Sequence, residues 1–224
     1  MSLRILGLAD LHDRSEMLEP LRNVEADLIA FCGDLHNASG PEQGRTAAEA
    51  LAKIGPPVLI VPGNMDHRDV VPGLWKEVGL TMIHGTSFGY KGYCFLGLGG
   101  MVMRDPRRLG NPGRYYHREE DVYDLLSRAH REASGAKRLI VITHQPPRGS
   151  RDTIYTGEST GSTGLRRFVE ERQPQLLLCG HIHEDRGEAL IGRTRIINVG
   201  ELRRGHAALI ELNDEVRVKW IDLC

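Results

Sequence analysis

Apolar residues cluster in short runs at 5–8, 28–32, 58–61, 139–142 and 176–179, and each run reads as a strand. Between the first two, Asp13 and Glu16 have capping-box spacing, and Met17, Leu18, Leu21 and Val24 follow at helical intervals, so the pattern predicts a helix there. An Ala-rich stretch at 46–54, closed by Gly55-Pro56-Pro57, predicts a second helix. The resulting βαβαβ order implies parallel strands with helices outside. The end of the chain reads differently. Runs at 195–199, 207–212 and 215–221 are separated by turn residues, among them Asn213-Asp214. In the last run Val216, Val218 and Trp220 alternate with Arg217 and Lys219, as in a half-solvated antiparallel strand.

Two stretches read as long loops. Residues 104–118 hold five arginines (104, 107, 108, 114 and 118) with Pro106, Gly110, Pro112 and Gly113, which argue against regular structure; residues 146–164 are rich in Gly, Ser and Thr. Loops of this length in a compact domain are more often functional than idle.

Composition narrows the classes. At 224 residues the chain can bury a substantial core, and no linker interrupts it, so a single domain over 1–224 is expected. Basic and acidic residues number 29 and 30, a net charge of −1, which gives no global footprint for a nucleic-acid or anionic-membrane binder. No apolar run is long enough to span a bilayer and no leader pattern precedes residue 5, so a soluble, cytoplasmic protein is expected. Cys32, Cys94, Cys179 and Cys224 are scattered without a Cys-x-x-Cys pair and read as reduced thiols rather than disulfides or a thiolate zinc site.

The chemistry lies at the strand ends. Asp10 and His12, Asp34, Asn64, His144, and His181 with His183 each follow or end one of the five runs, so five strand ends can deliver oxygen and imidazole ligands to one rim. His181 and His183 are two apart, which in a regular strand would point them to opposite faces.

As an ordered set, Asp10-Leu11-His12, Gly33-Asp34, Gly63-Asn64, His144 and Gly180-His181-Ile182-His183 resemble the signature of the calcineurin-like metallophosphoesterases. A finer likeness, in residues 144–152, Gly161-Ser162 and residues 180–184, is to the branch described as cyclic-nucleotide-phosphodiesterase-like. The resemblance implies an α/β fold, a four-layer αββα sandwich of two mixed β-sheets flanked by helices. It also implies a binuclear centre of two divalent ions, with Mn, Fe, Ni, Zn and Co all accepting such ligands. Asp34 would bridge them. Asp10, His12 and His183 would complete one ion, and Asn64, His144 and His181 the other, with hydrolysis by attack of a metal-bridging hydroxide.

By the same carry-over Asp34, Asn64, Asp66 and His144 are the expected catalytic residues. One position departs from the family pattern: Met65 stands where many members carry His, the acid that protonates the leaving group and is oriented by the residue here numbered Asp66. Methionine transfers no proton, so His67, His36 or a metal-bound water would have to substitute. Phosphodiesters are therefore expected over monoesters, in a small and nucleotide-like substrate. Asp152 and Ser162 read either as substrate-side residues or as a turn Asp and a helix N-cap, and Arg104, Arg107, Arg108 and Arg114 either as a phosphate clamp or as a solvated run. Asn198-Val199-Gly200 reads as a structural turn near the site. The alternatives are a non-catalytic scaffold on the same fold, or a nuclease, which would want more than the 5% aromatic residues this chain has.

Overall fold

The computed structural model describes residues 2–37, 41–133, 138–213 and 215–223. The chain runs β1 (Leu3–Leu8), a 3-10 helix (Ser15–Asn23), β2 (Leu28–Phe31), α1 (Pro41–Ala52), β3 (Val58–Ile60), α2 (Val71–Glu77), β4 (Thr81–Met82), β5 (Thr86–Tyr90), β6 (Tyr93–Leu98) and β7 (Met101–Val102). It continues through α3 (Pro106–Leu109), β8 (Tyr116–His117), α4 (Glu119–Glu132), β9 (Leu139–Thr143), α5 (Thr163–Arg172), β10 (Leu176–Cys179), β11 (Gly187–Ile191), β12 (Thr194–Asn198), β13 (His206–Leu212) and β14 (Val216–Asp222).

Two six-stranded sheets result, in the orders β14-β13-β1-β2-β3-β4 and β11-β12-β10-β9-β6-β5. Both are mixed. β1 to β4 are parallel, with β13 and β14 added antiparallel. β6, β9, β10 and β12 are parallel, with β5 and β11 as antiparallel edges. The period-two alternation of strands sorts apolar side chains into three layers. Ile5, Leu28, Ala30 and Leu59 of the first sheet meet Phe95, Ile140, Ile142 and Leu178 of the second. Outside the first sheet, Leu6, Leu8, Phe31 and Ile60 pack on Leu18, Leu21, Leu51 and Trp75. Outside the second, Leu96, Val141 and Leu177 pack on α4 and α5 through Val122, Leu126, Leu165 and Phe168. This is the αββα sandwich.

Several local expectations are corrected. The first helix is 3-10, not α, and Asp13 does not cap it. Its carboxylate instead accepts from the Asn37 N–H at 2.8 Å. The apolar spacing is satisfied nonetheless, because residues three apart share a face of a 3-10 helix and Leu18 and Leu21 are both buried. The second helix starts at Pro41 and ends at Ala52, before Ile54. Within 104–118, proline and glycine mark the ends of structure rather than its absence: Asp105 caps α3 by accepting from the Arg107 N–H at 3.0 Å, Pro106 opens it and Gly110 ends it, and β8 pairs with β7. His181 and Ile182 are irregular backbone and His183 opens a short 3-10 helix (His183–Asp185), not strand, with His181 at φ 67. Cys32, Cys94 and Cys179 are buried free thiols; Asp214 and Cys224 lie outside the described residues. Among the described residues no helix is long and apolar enough to cross a membrane.

Candidate metal centre

Parallel strands that run the same way present their C-terminal ends at one rim, and β1, β2 and β3 of one sheet face β9 and β10 of the other there. The loops leaving those ends bring the seven residues together. Asp34 Oδ2 lies 3.9 Å from His12 Nε2 and 3.5 Å from His144 Nε2. Asp10 Oδ1 lies 3.9 Å from His12 Nε2 and 3.3 Å from His183 Nε2. Asn64 Oδ1 is 3.0 Å from His144 Nε2, and the His181 ring packs on that of His144 with centroids 4.8 Å apart. Two groups have donor atoms close enough to hold one ion each: Asp10 with His12 and His183, and Asp10 with Asp34 and His144.

The backbone is bent to achieve this. Asp10, His12, Asp34 and His181 all adopt left-handed φ values of 56, 49, 55 and 67, a costly conformation for residues with a Cβ and one that clusters at functional sites. Glycine next to the ligands is a steric requirement. A Cβ on Gly63 would fall 1.9 Å from Asp34 Oδ1, and one on Gly180 would fall 2.5 Å from Asp10 Oδ2.

Each ring is oriented from behind. The Cys32 carbonyl lies 2.8 Å from His144 Nδ1, which places a proton there and turns the Nε2 lone pair inward. Asn37 Oδ1 holds His12 Nδ1 at 2.8 Å, and the buried Glu201 places Oε1 3.6 Å from His183 Nδ1. The Met65 N–H donates to Asp34 Oδ1 at 2.7 Å, leaving Oδ2 to face the imidazoles. After these contacts Asp10 Oδ1 and His12 Nε2 are buried without any hydrogen-bond partner. Such atoms normally find one, and a cation in their shared space would satisfy both.

The electrostatics fit the same requirement. Burial, then the charges of Asp66 and Asp10, push the Asp34 carboxyl well above its ordinary value. Burial also raises Asp10, but the imidazoles of His183 and His144 close by bring it below its ordinary value. Burial lowers His144, and lowers His181 to about 3, so both are neutral imidazoles with lone pairs to give. Asp10, Asp34 and Asp66 are all buried, whereas no Lys or Arg is buried among the described residues. Crowded carboxylates beside neutral imidazoles suit divalent cations.

The other expected residues stand elsewhere. Asp66 is buried behind the centre, where its carboxylate accepts from the N–H groups of Asp34, His36 and Gly63 at 3.0, 3.0 and 2.7 Å, tying the turns that carry Asp34 and Asn64 together. His36 is fully buried and accepts from Trp75 Nε1 at 2.9 Å. His67 accepts from the Asp69 N–H and packs against Gly113. Arg104, Arg107 and Arg108 are exposed, with Arg107 paired to Asp105 at 3.0 Å; Arg114 alone among these reaches the site loops, donating to the Met65 carbonyl. Asp152 accepts from Gly149, Ser159 and Gly161 inside its own loop, and Ser162 caps α5. Asn198 bridges the Ile182 carbonyl and the Gly200 N–H, the expected structural turn. Asn37, Glu201 and the Cys32 carbonyl were not anticipated. Only Glu201 had a visible signal, an acidic residue directly after the Asn198-Val199-Gly200 turn.

Known proteins resemble the chain in sequence or in fold. An uncharacterized protein of Methanocaldococcus jannaschii is 28% identical over 204 residues, covering 88% of this chain and 87% of its own. The 3',5'-cyclic adenosine monophosphate phosphodiesterase CpdA of Escherichia coli K12 is 25% identical over 188 residues, 81% of this chain and 64% of that protein. Among solved structures, TT1561 of Thermus thermophilus superposes with a TM-score of 0.76 at 17% identity, over 98% of this chain and 99% of that one. A dimetal phosphatase from Danio rerio does so with 0.65 at 11% identity, over 98% and 96%. These two likenesses show a shared fold. The sequence model of the family described as calcineurin-like phosphoesterase matches residues 3–185. From its αββα architecture to its ordered strand-end residues, the chain belongs to the calcineurin-like phosphoesterase family.

Proposed function

We propose that the chain is a phosphoesterase with a binuclear centre of divalent ions, acting on phosphodiesters in preference to monoesters. The observation that carries this reading is the pair of buried, partnerless atoms Asp10 Oδ1 and His12 Nε2, aimed into one space beside Asp34 and His144. Asp10, His12 and His183 would hold one ion, and Asn64, His144 and His181 the other. Asp34 would serve both, since its Oδ2 lies 3.9 Å from His12 Nε2 and 3.5 Å from His144 Nε2. Mn, Fe, Ni, Zn and Co all suit this donor set. When bound, two such ions supply Lewis acidity to water and charge neutralisation to a phosphoryl group.

The chain's own contribution is orientation. Asn37, Glu201 and the Cys32 carbonyl fix the rings of His12, His183 and His144, so little reorganisation remains when substrate arrives. Proton supply to a leaving alcohol is the weak point. Met65 has no proton to give, and His36 is locked beneath Trp75. Diesters with good leaving groups, or strained cyclic ones, need the least help. A nucleotide-like diester is the favoured class, supported by the activity for which the Escherichia coli relative is named. Buried free thiols fit a reducing, cytoplasmic compartment.

A scaffold role is disfavoured by the oriented and partnerless ligand atoms, and a nuclease role by a net charge of −1. The test is a screen of the chain, reconstituted with each metal in turn, against alkyl monoesters, linear diesters and cyclic nucleotides. Faster turnover of diesters is expected. Tight ion binding without turnover of any ester would favour the scaffold, and faster turnover of alkyl monoesters would overturn the stated preference.

A further inference from the structure

A cleft of about 620 Å³ opens between α4, the end of α5, β8 and the segment after Asn64. None of the seven centre residues lines it. Arg128 and Arg131 enter from α4, Arg172 from the end of α5, and Arg68 from the loop beyond Asp66. Arg68 leans over the Tyr115 ring at 5.9 Å. Otherwise none of the four makes an ion pair or a side-chain hydrogen bond among the described residues, although most other arginines of this chain do. Against these four guanidiniums the lining sets two carboxylates, Asp121 and Asp124, a surplus of two positive charges.

Apart from Leu125, the rest of the lining is aromatic or hydrogen-bonding. Tyr115, Tyr116 and Tyr123 line the cleft beside His84 and His117, whose rings stack with centroids 5.5 Å apart. One residue fixes both histidines: the Gly99 N–H donates to His84 Nδ1 at 3.0 Å, and the Gly99 carbonyl lies 2.9 Å from His117 Nε2. His84 therefore carries its proton on Nε2 and His117 on its own Nε2, leaving the His117 Nδ1 lone pair unused by Gly99. Burial, with His117 and Arg68 nearby, lowers His84 to about 3, and burial lowers His117 below its ordinary value, so the pair adds polarity without charge. Ser127, also in the lining, has a buried hydroxyl without a partner.

We infer that this cleft is a binding site, separate from the metal centre, for a small phosphorylated ligand of nucleotide size bearing two or more negative charges. Planar guanidiniums match phosphate oxygens two at a time, and the surplus charge calls for an anion. A volume of about 620 Å³ falls within the range of small-molecule sites, and the tyrosine and histidine rings offer flat apolar surface for a base. A nucleic-acid backbone fits less well, because Glu119, Glu120 and Glu132 on the same helix confine the positive charge to the cleft. The inference does not rest on the reading of the metal centre. The two sites do share a wall: next to Gly99, the Gly100 N–H donates to the Pro62 carbonyl at 2.7 Å, at the start of the turn that carries Asn64.

The test is calorimetric titration of the full chain with ADP, pyrophosphate and adenosine, with metal and again with EDTA present. One ADP per chain is expected under both conditions, with pyrophosphate binding and adenosine much weaker. Arg128→Ala with Arg131→Ala should weaken ADP binding at least tenfold, and the paired Lys substitutions should restore part of it. Hydrolysis of whichever diester the wild type turns over should stay within twofold. Both arginines are exposed, so folding is expected to survive; if the double variant does not fold, Arg68→Ala on a different segment carries the same prediction. Equal ADP affinity in wild type and variants, equal affinity for adenosine and ADP, binding that disappears with EDTA, or tighter binding of a single-stranded oligonucleotide than of ADP would each overturn the inference.

Discussion

Met65 and Gly63 sit two positions apart and affect the centre in different ways. Met65 gives Asp34 a backbone N–H, but its side chain lacks a transferable proton. If proton supply limits the choice of substrate, Met65→His raises hydrolysis most for leaving groups of high pKa, and activated aryl diesters gain little. The slope of log rate against leaving-group pKa should flatten in the variant at saturating metal; identical slopes would mean that another group already donates. Gly63 acts through space alone. A Cβ there meets the Asp34 backbone nitrogen at 2.3 Å as well as its carboxylate, and backbone cannot swing aside. Gly63→Ala is expected to cost about 1–3 kcal/mol in denaturant melts, in line with other overpacked sites, and to lower metal content. An unchanged melt with full metal content would show that the turn relaxes.

Ser162 gives the sharpest test at the level of elements, because two roles were open for it. Its hydroxyl accepts from the Leu165 N–H at 3.1 Å as the α5 cap and contacts Glu119 Oε2 at 2.7 Å, linking α5 to the first turn of α4. Ser162→Ala should therefore cost about 1–2 kcal/mol, as other caps do, and leave the KM of the best diester within twofold. A several-fold rise in KM with unchanged stability would place Ser162 on the substrate instead. The strands that lead to the candidate ligands were legible because each is a compact aliphatic run ending at a polar residue. The connecting pieces were less so. The first helix has apolar residues three apart, a spacing that α and 3-10 helices share over so short a length. β7 and β8 contain two residues each and are defined only by pairing with one another, and the exposed edge β5 gains its register from β6.

For the whole molecule, folding is what joins residues far apart in the chain: His181 donates its N–H to Asp10 Oδ2 at 2.9 Å across 171 positions. The seven residues that the fold brings to one rim could be named from the sequence, since donor chemistry at a strand end is written in residue types. Their supports could not. A carbonyl behind His144 or a carboxylate behind His183 depends on which loops meet, and no local pattern encodes that.

Drawing buried carboxylates together has a price that a cation would offset. Asp34 holds its proton in the folded chain at pH values where the unfolded chain has lost it. Its contribution to the stability of metal-free protein therefore falls as pH rises from the ordinary carboxylate range to the folded value. Metal-free Asp34→Asn should accordingly melt above metal-free wild type at neutral pH. That gap should close on acidification toward the ordinary range, and the order should reverse when metal is added. A variant that melts below wild type at every pH without metal would contradict this.

Elemental analysis of the full chain and of Asp34→Asn, after reconstitution and removal of loosely held ions, decides whether Asp34 joins two ion sites. Two divalent ions per wild-type chain and no more than one in the variant are expected. Two tightly held ions in Asp34→Asn, or none in the wild type, would contradict that role.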